Sequence, residues 1–218
     1  MSQEPLETIP ELREIPGVRA SFIGRIPGID VAVPREEAVN RLNPFHRELL
    51  DAFLSTKLPL VTAEQVHGSS VALIDTTTTG PLLQTDGLVT TQQGVTLGIY
   101  VADCAPVWIV ARDGTAGALL HSGKKGTELG ITRQGIRMLA DCTGKKAGAF
   151  LAIIGPCIRP PCYEVDFAAE IARQAREEGI HEIHDAGICT ACNPDRYYSY
   201  RREKGLTGRM IATLTLQP

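Results

Sequence analysis

Val95-Thr96-Leu97-Gly98-Ile99-Tyr100-Val101-Ala102-Asp103-Cys104-Ala105-Pro106-Val107-Trp108-Ile109-Val110-Ala111-Arg112-Asp113-Gly114-Thr115-Ala116-Gly117-Ala118-Leu119-Leu120-His121 reads as three buried strands in succession. Val95–Val101 and Pro106–Arg112 are apolar and dense enough to be covered on both faces, and β-branched residues recur in them. Asp113-Gly114 is the residue pair of a tight hairpin, and Ala116–Leu120 is the returning strand. Working outward, Leu60–Val66 and Ser70–Ile74 read as strands either side of a turn at His67-Gly68, with a threonine-rich loop at 75–80 behind them. Val18–Ile23, Phe150–Ile154 and Met210–Leu216 complete the expected strands.

Helices are expected between them. Pro34 precedes Arg35-Glu36-Glu37, which puts a proline just inside a helix start and acids in its first turn. Pro44 is expected to interrupt that helix, and Phe45–Leu54 to form a second one, with Phe45, Leu49, Leu50, Phe53 and Leu54 on one face. Glu128–Leu139 repeats Leu129, Ile131, Ile136 and Leu139 at helical spacing and is expected to cover the sheet. Asp166–Glu178 carries an Asp at its start and Gly179 past its end. Residues 1–16, acidic and broken by Pro5, Pro10 and Pro16, are expected to be an irregular, fraying lead-in, with 17–218 as one α/β domain.

Composition bounds the function. The chain has 218 residues, 43% apolar and 22% charged, which excludes disorder, collagen and a disulfide-dense scaffold. Lys plus Arg is 22 against Asp plus Glu 25, a net charge of −3, so neither nucleic acid nor an acidic membrane surface is an expected partner. No apolar run is long enough to span a bilayer, and no secretory leader opens the sequence. The expectation is a cytoplasmic protein whose six cysteines are free, catalytic or metal-bound.

His67, Cys104 and His121 each sit at a strand-to-turn junction and each precedes Gly or a small residue. Strand ends converge in space, and two imidazoles with one thiolate leave a tetrahedral zinc ion one open position for water, as in a catalytic site. Spacing alone carries little weight, because a lone His at a strand end is more often a satisfied rim residue and a lone Cys a small hydrophobe. A His₂Cys set also suits type 1 copper, but that site usually has a weak axial Met, and only Met1, Met138 and Met210 are available. Zinc is therefore expected ahead of copper. Asp103, beside Cys104, is the candidate outer-shell orienter or proton acceptor. Cys157-x4-Cys162 with Cys189-x2-Cys192 spells a possible four-thiolate site, against the plainer expectation of ordinary thiols.

Eight ordered blocks then match a known pattern: Gln65-Val66-His67-Gly68, Thr85-Asp86-Gly87-Leu88-Val89-Thr90, Ala102-Asp103-Cys104-Ala105-Pro106-Val107, His121-Ser122-Gly123, Gly155-Pro156, Cys162-Tyr163-Glu164-Val165, Tyr198-Ser199-Tyr200-Arg201-Arg202 and Thr207-Gly208-Arg209. From about Glu36 to Leu216 the chain resembles the laccase-like family, variously labelled multicopper polyphenol oxidase, peptidoglycan editing factor and purine nucleoside phosphorylase. The resemblance implies a four-layer α/β/β/α sandwich and a zinc held at His67, Cys104 and His121. It also implies phosphorolysis of inosine, guanosine, adenosine or methylthioadenosine, and deamination of adenosine, with nucleoside and phosphate as small-molecule partners. Asp103 is then the candidate catalytic residue, and Gln65, Lys125, Arg202 and Arg209 the substrate-binding ones. Where the family reads Trp-Arg after its third ligand, this chain reads Lys124-Lys125, which keeps positive charge and loses the planar fork that grips phosphate. The alternatives are an amidase of peptidoglycan precursors, a thiol hydrolase with Cys104 as nucleophile and His121 as base, and a non-catalytic nucleoside- or metal-binding member.

Overall fold

A computed structural model describes residues 4–217. Two mixed sheets pack face to face and helices flank them, an α+β sandwich in a single domain. The first sheet runs β1 (Leu6–Thr8), β2 (Val18–Ile23), β11 (Met210–Leu216), β6 (Thr96–Val101), β3 (Leu60–Thr62), antiparallel except for β6 with β3. The second runs β10 (Glu182–Asp185), β9 (Phe150–Ile154), β7 (Ala105–Ala111), β8 (Gly117–Ser122), β5 (Gly87–Thr90), β4 (Val71–Ile74), parallel at its two outer pairs.

The unbroken apolar texture of the central strands follows from this layering. Trp108 and Val110 of β7 face the first sheet, while Val107, Ile109 and Ala111 face helices α3 (Ile131–Thr143) and α4 (Phe167–Glu177). β9 divides the same way, with Leu151 and Ile153 inward and Phe150, Ala152 and Ile154 outward. Side chains alternate along a strand, so a strand covered on both faces is apolar at every position. The fully buried Trp108 ties the two sheets together by donating its indole N–H to the Thr213 carbonyl at 3.0 Å.

Several local expectations are corrected. Pro44 lies inside one continuous helix, α1 (Arg35–Leu54). It removes the amide that would bond to the Asn40 carbonyl, but both residues are exposed and water can serve that carbonyl, while Ala38, Leu42, His46, Leu50 and Leu54 keep one unbroken buried stripe. The stretch at 1–16 is not irregular where described: Leu6–Thr8 pairs with β2, and Leu12 of the following 3₁₀ turn is buried. The helix expected over 128–139 divides into α2 (Lys124–Glu128) and α3, because Gly130 takes a left-handed conformation between them. β1, β5 and β10 were not among the expected strands. α4 starts as expected, with the Asp166 carboxylate accepting the Ala169 amide at 3.0 Å. Among the described residues no helix is long and apolar enough to cross a membrane.

Candidate metal centre

The chain passes from one sheet to the other twice at the same end of the sandwich, and the metal-type residues lie on those crossings. Cys104 is in the link from β6 to β7, and His67 in the link from β3 to β4. His121, near the end of β8, is paired with Pro106 of β7, two residues past Cys104. One ligand atom from each of His67, Cys104 and His121 lies within 4.8 Å of the other two, and the imidazole rings stand edge to face with centroids 4.9 Å apart. Space for the thiol depends on Gly123, where a Cβ would come within 2.5 Å of Cys104 Sγ.

Asp86, just ahead of β5, organises the cluster. Its buried carboxylate accepts the backbone amides of Val66 (3.2 Å), His67 (2.9 Å) and Gly68 (2.7 Å), and it lies 2.9 Å from His121 Nδ1. Its own carbonyl accepts the His121 amide at 2.8 Å. The carboxylate makes Nδ1 the protonated nitrogen and leaves Nε2 available as a ligand. It also holds the His67 turn, whose Gln65 and His67 both have left-handed backbones (φ 65° and 60°).

Charge coupling within the cluster is strong. Burial pushes the Cys104 thiol up, but the adjoining His121 and His67 imidazoles outweigh it and bring it down to about 6. Burial alone would lower His121, yet Cys104 and Asp86 raise it to about 9. Burial likewise opposes ionisation of Asp86, and the His121 contact with the Gly68 and His67 amides holds it below the usual carboxylate range. The imidazoles thus favour the Cys104 thiolate, and the thiolate with Asp86 favours the protonated form of His121.

These residues form one wall of a cavity of about 1130 Å³. Arg35, Lys124, Lys125, Arg201, Lys204 and Arg209 line it, six cations against the two carboxylates of Asp103 and Glu128, with Tyr163 and Tyr200 beside them. Arg209 is buried, and its hydrogen bonds among the described residues go to the carbonyls of Thr207 and Gly208, both 2.9 Å from Nη1. Burial and the neighbouring Arg35 guanidinium depress its pKa, the condition of a cation awaiting an anion.

The expected contact residues separate on inspection. Lys125 and Arg209 line the cavity. Gln65 lies in its wall, but its carboxamide is spent on the Tyr100 backbone, donating to the carbonyl and accepting the amide at 2.9 Å. Arg202 is not at the cavity: the segment after Ser199 is a turn, which leaves Arg201 at the exposed cavity rim, paired with Glu164 at 3.3 Å, and takes Arg202 to the Ala191 carbonyl at 3.1 Å. Asp103 adopts φ 84° and accepts hydrogen bonds from Thr190 Oγ1 (2.6 Å), Ser199 Oγ (3.0 Å) and the Arg201 amide (2.7 Å). With both oxygens engaged, it ties together the segments at 103, 190 and 199–201, and the carboxylate beside His121 is that of Asp86. Asp86, Arg35 and Arg201 escaped selection from sequence, although Thr85-Asp86-Gly87 lay in a matched block.

Residues 35–171 and 165–217 match the family model described as multi-copper polyphenol oxidoreductase laccase. The chain belongs to this family. Among its relatives, purine nucleoside phosphorylase YlmD of Geobacillus stearothermophilus is 27% identical over 226 residues, covering 85% of this chain and 81% of that protein. A purine nucleoside phosphorylase of Corynebacterium glutamicum is 31% identical over 185 residues, covering 72% and 74% respectively. In fold, the chain is similar to the crystal structure of hypothetical protein YfiH of Bacillus licheniformis, with TM-score 0.83, 23% identity and 99% and 97% coverage. It is also similar to that of YlmD from Geobacillus stearothermophilus, with TM-score 0.80, 24% identity and 94% and 93% coverage.

Family membership corrects the expected metal. The family model describes a copper enzyme, and the Cys/His cluster is a donor set copper accepts, so copper stands ahead of zinc. The physical reason is that a given nitrogen and sulfur site binds Cu²⁺ more tightly than Zn²⁺, and an axial methionine is one way to complete a copper site, not a condition for binding the ion.

Proposed function

We propose that this member of the laccase-like family is a metal-dependent enzyme acting on purine nucleosides, by phosphorolysis and by deamination of adenosine. The observation that carries the reading is the pairing, in one cavity, of the His67, Cys104 and His121 cluster with the buried Arg209, which has no carboxylate partner among the described residues. The names of relatives in Geobacillus and Corynebacterium supply the substrate class.

In phosphorolysis an inorganic phosphate oxygen bonds to the anomeric carbon as the bond from that carbon to the purine nitrogen breaks, giving a pentose 1-phosphate and the free base. Arg209 supplies a fixed guanidinium to the phosphate, with Arg35 and Lys125 adding charge at the cavity wall. Tyr200 and Tyr163 offer aromatic faces to the base. In deamination, water oxygen replaces the amine at C6 and ammonia leaves. His67, Cys104 and His121 would hold a metal ion, which would supply Lewis acidity there. Asp86 keeps His121 in the ligating tautomer, and Asp103 keeps the Thr190–Arg201 wall against the site.

The test is product analysis with the copper-loaded chain, using inosine and adenosine with and without phosphate. Hypoxanthine and ribose 1-phosphate formed only with phosphate, and inosine formed from adenosine, are expected, both lost in Cys104→Ala. Failure to turn over any purine nucleoside, or full turnover in Cys104→Ala, overturns the reading. Oxygen uptake on a phenol is the competing outcome to which the family description points. The contact of Cys104 with His121 favours a second reading, thiol hydrolysis by Cys104, which requires activity that survives chelation and fails in Cys104→Ser.

A further inference from the structure

We propose that Cys162, Cys189 and Cys192 form a second metal site, open to solvent and suited to a single soft ion of the copper(I) type. Cys162 follows the Pro160-Pro161 turn, while Cys189 and Cys192 lie at either end of a 3₁₀ turn (Thr190–Cys192) that the sequence places far away. The two segments are laced together: the Cys157 amide donates to the Ile188 carbonyl, and the Thr190 amide to the Cys157 carbonyl, each at 3.1 Å. This register brings all three sulfurs within 4.8 Å of one another, with Cys162 and Cys192 3.3 Å apart.

Those separations suit a shared ion. The three cysteines are free, and Cys162 and Cys192 touch without being bonded. Metal–thiolate bonds of about 2.3 Å place three sulfurs around one ion roughly 4 Å from each other, which falls within the observed range. Cys157, which the spacing had offered as a fourth ligand, is fully buried in the apolar layer under α4 and is not among the converging sulfurs. The set is therefore three thiolates with no imidazole or carboxylate among them, a donor set that selects soft, thiophilic ions.

The site differs in character from the His67–Cys104–His121 cluster. Cys192 is exposed and Cys162 and Cys189 half-buried, so an ion can enter and leave without passing through the cavity. It is mechanically joined to the cavity all the same. Thr190, between two of the ligands, donates to Asp103, the Ala191 carbonyl accepts from Arg202, and Tyr163 beside Cys162 lines the cavity. An ion bound here clamps the 157–163 and 188–193 segments into one wall.

The experiment is anaerobic titration of the reduced, metal-free full chain with copper(I) against a chromophoric copper(I) chelator, followed by alkylation and peptide mapping. The parent chain is expected to bind one more equivalent than Cys192→Ser or Cys162→Ser, with a thiolate-to-copper absorption that those variants lose. Copper(I) should protect Cys162, Cys189 and Cys192 from alkylation while the exposed Cys142 stays reactive. Cys104→Ala leaves this second equivalent in place, which separates the proposal from the cavity site. Cys192 is exposed, so its serine variant tests the site with little risk to folding, and an unchanged circular dichroism spectrum verifies that. Equal stoichiometry in the parent and Cys192→Ser, or undiminished alkylation of the three cysteines in excess copper(I), overturns the proposal.

Discussion

Asp86→Asn is a nearly isosteric change that the geometry makes expensive. One carboxylate oxygen accepts from His67 N and lies against His121 Nδ1, and the other accepts from the Val66 and Gly68 amides. An asparagine has one acceptor oxygen and one NH₂ donor, so either orientation turns the NH₂ toward donors. If it replaces the second oxygen, the Val66 and Gly68 amides lose their acceptor. If it replaces the first, the His67 amide is orphaned and His121 must accept at Nδ1, which moves its proton to Nε2 and removes the ligand lone pair. Either orientation leaves one or two donors unpaired at about 1–3 kcal/mol each, so unfolding free energy should fall by about 1–6 kcal/mol. Loss of the outer-shell carboxylate should weaken copper binding about 10- to 100-fold. Denaturant unfolding of the metal-free chain and chelator competition with copper measure the two effects separately. An Asp86→Asn chain within about 0.5 kcal/mol of the parent, with unchanged copper affinity, refutes the reasoning.

Other outcomes follow from single contacts. Gly123→Ala puts a methyl 2.5 Å from Cys104 Sγ, so copper affinity in the same competition assay should drop by about tenfold or more while helix content is kept. Arg209→Gln removes the buried cation, and the KM for phosphate in phosphorolysis should rise about 10- to 100-fold, the equivalent of a charged hydrogen bond. His46 is buried in α1 with neither ring nitrogen partnered among the described residues, and burial holds its imidazole down to about 4. The unfolded chain therefore binds the extra proton between pH 6.5 and 4, and stability present above pH 6.5 falls by about 3 kcal/mol as pH drops through that window. Unfolding curves of His46→Leu across the same window should be flatter than the parent's by that amount, and parallel curves would count against the assignment.

The layering was legible because burial on both faces leaves a mark at every residue. Pro106–Ala111 is apolar without alternation, the pattern of a strand covered on each side. Chain punctuation was legible for the same local reason: Asp166 and Gly179 bracket α4 with a cap and a left-handed stop. Pro44 misled because its effect depends on which helix face it occupies, and only packing decides that.

By itself the sequence determined residue chemistry, the strand and helix periods, and the junction positions of His67, Cys104 and His121, since each depends on near neighbours in the chain. The tertiary structure alone decided which distant groups share a site. Asp86 meets His121 from 35 positions away, and Cys162 meets Cys192 from 30. Arg209, just ahead of β11, also lines the cavity, and a turn takes Arg202 away from it. Such partnerships are fixed by how strands stack and cross between sheets, and no local pattern of residue types records that.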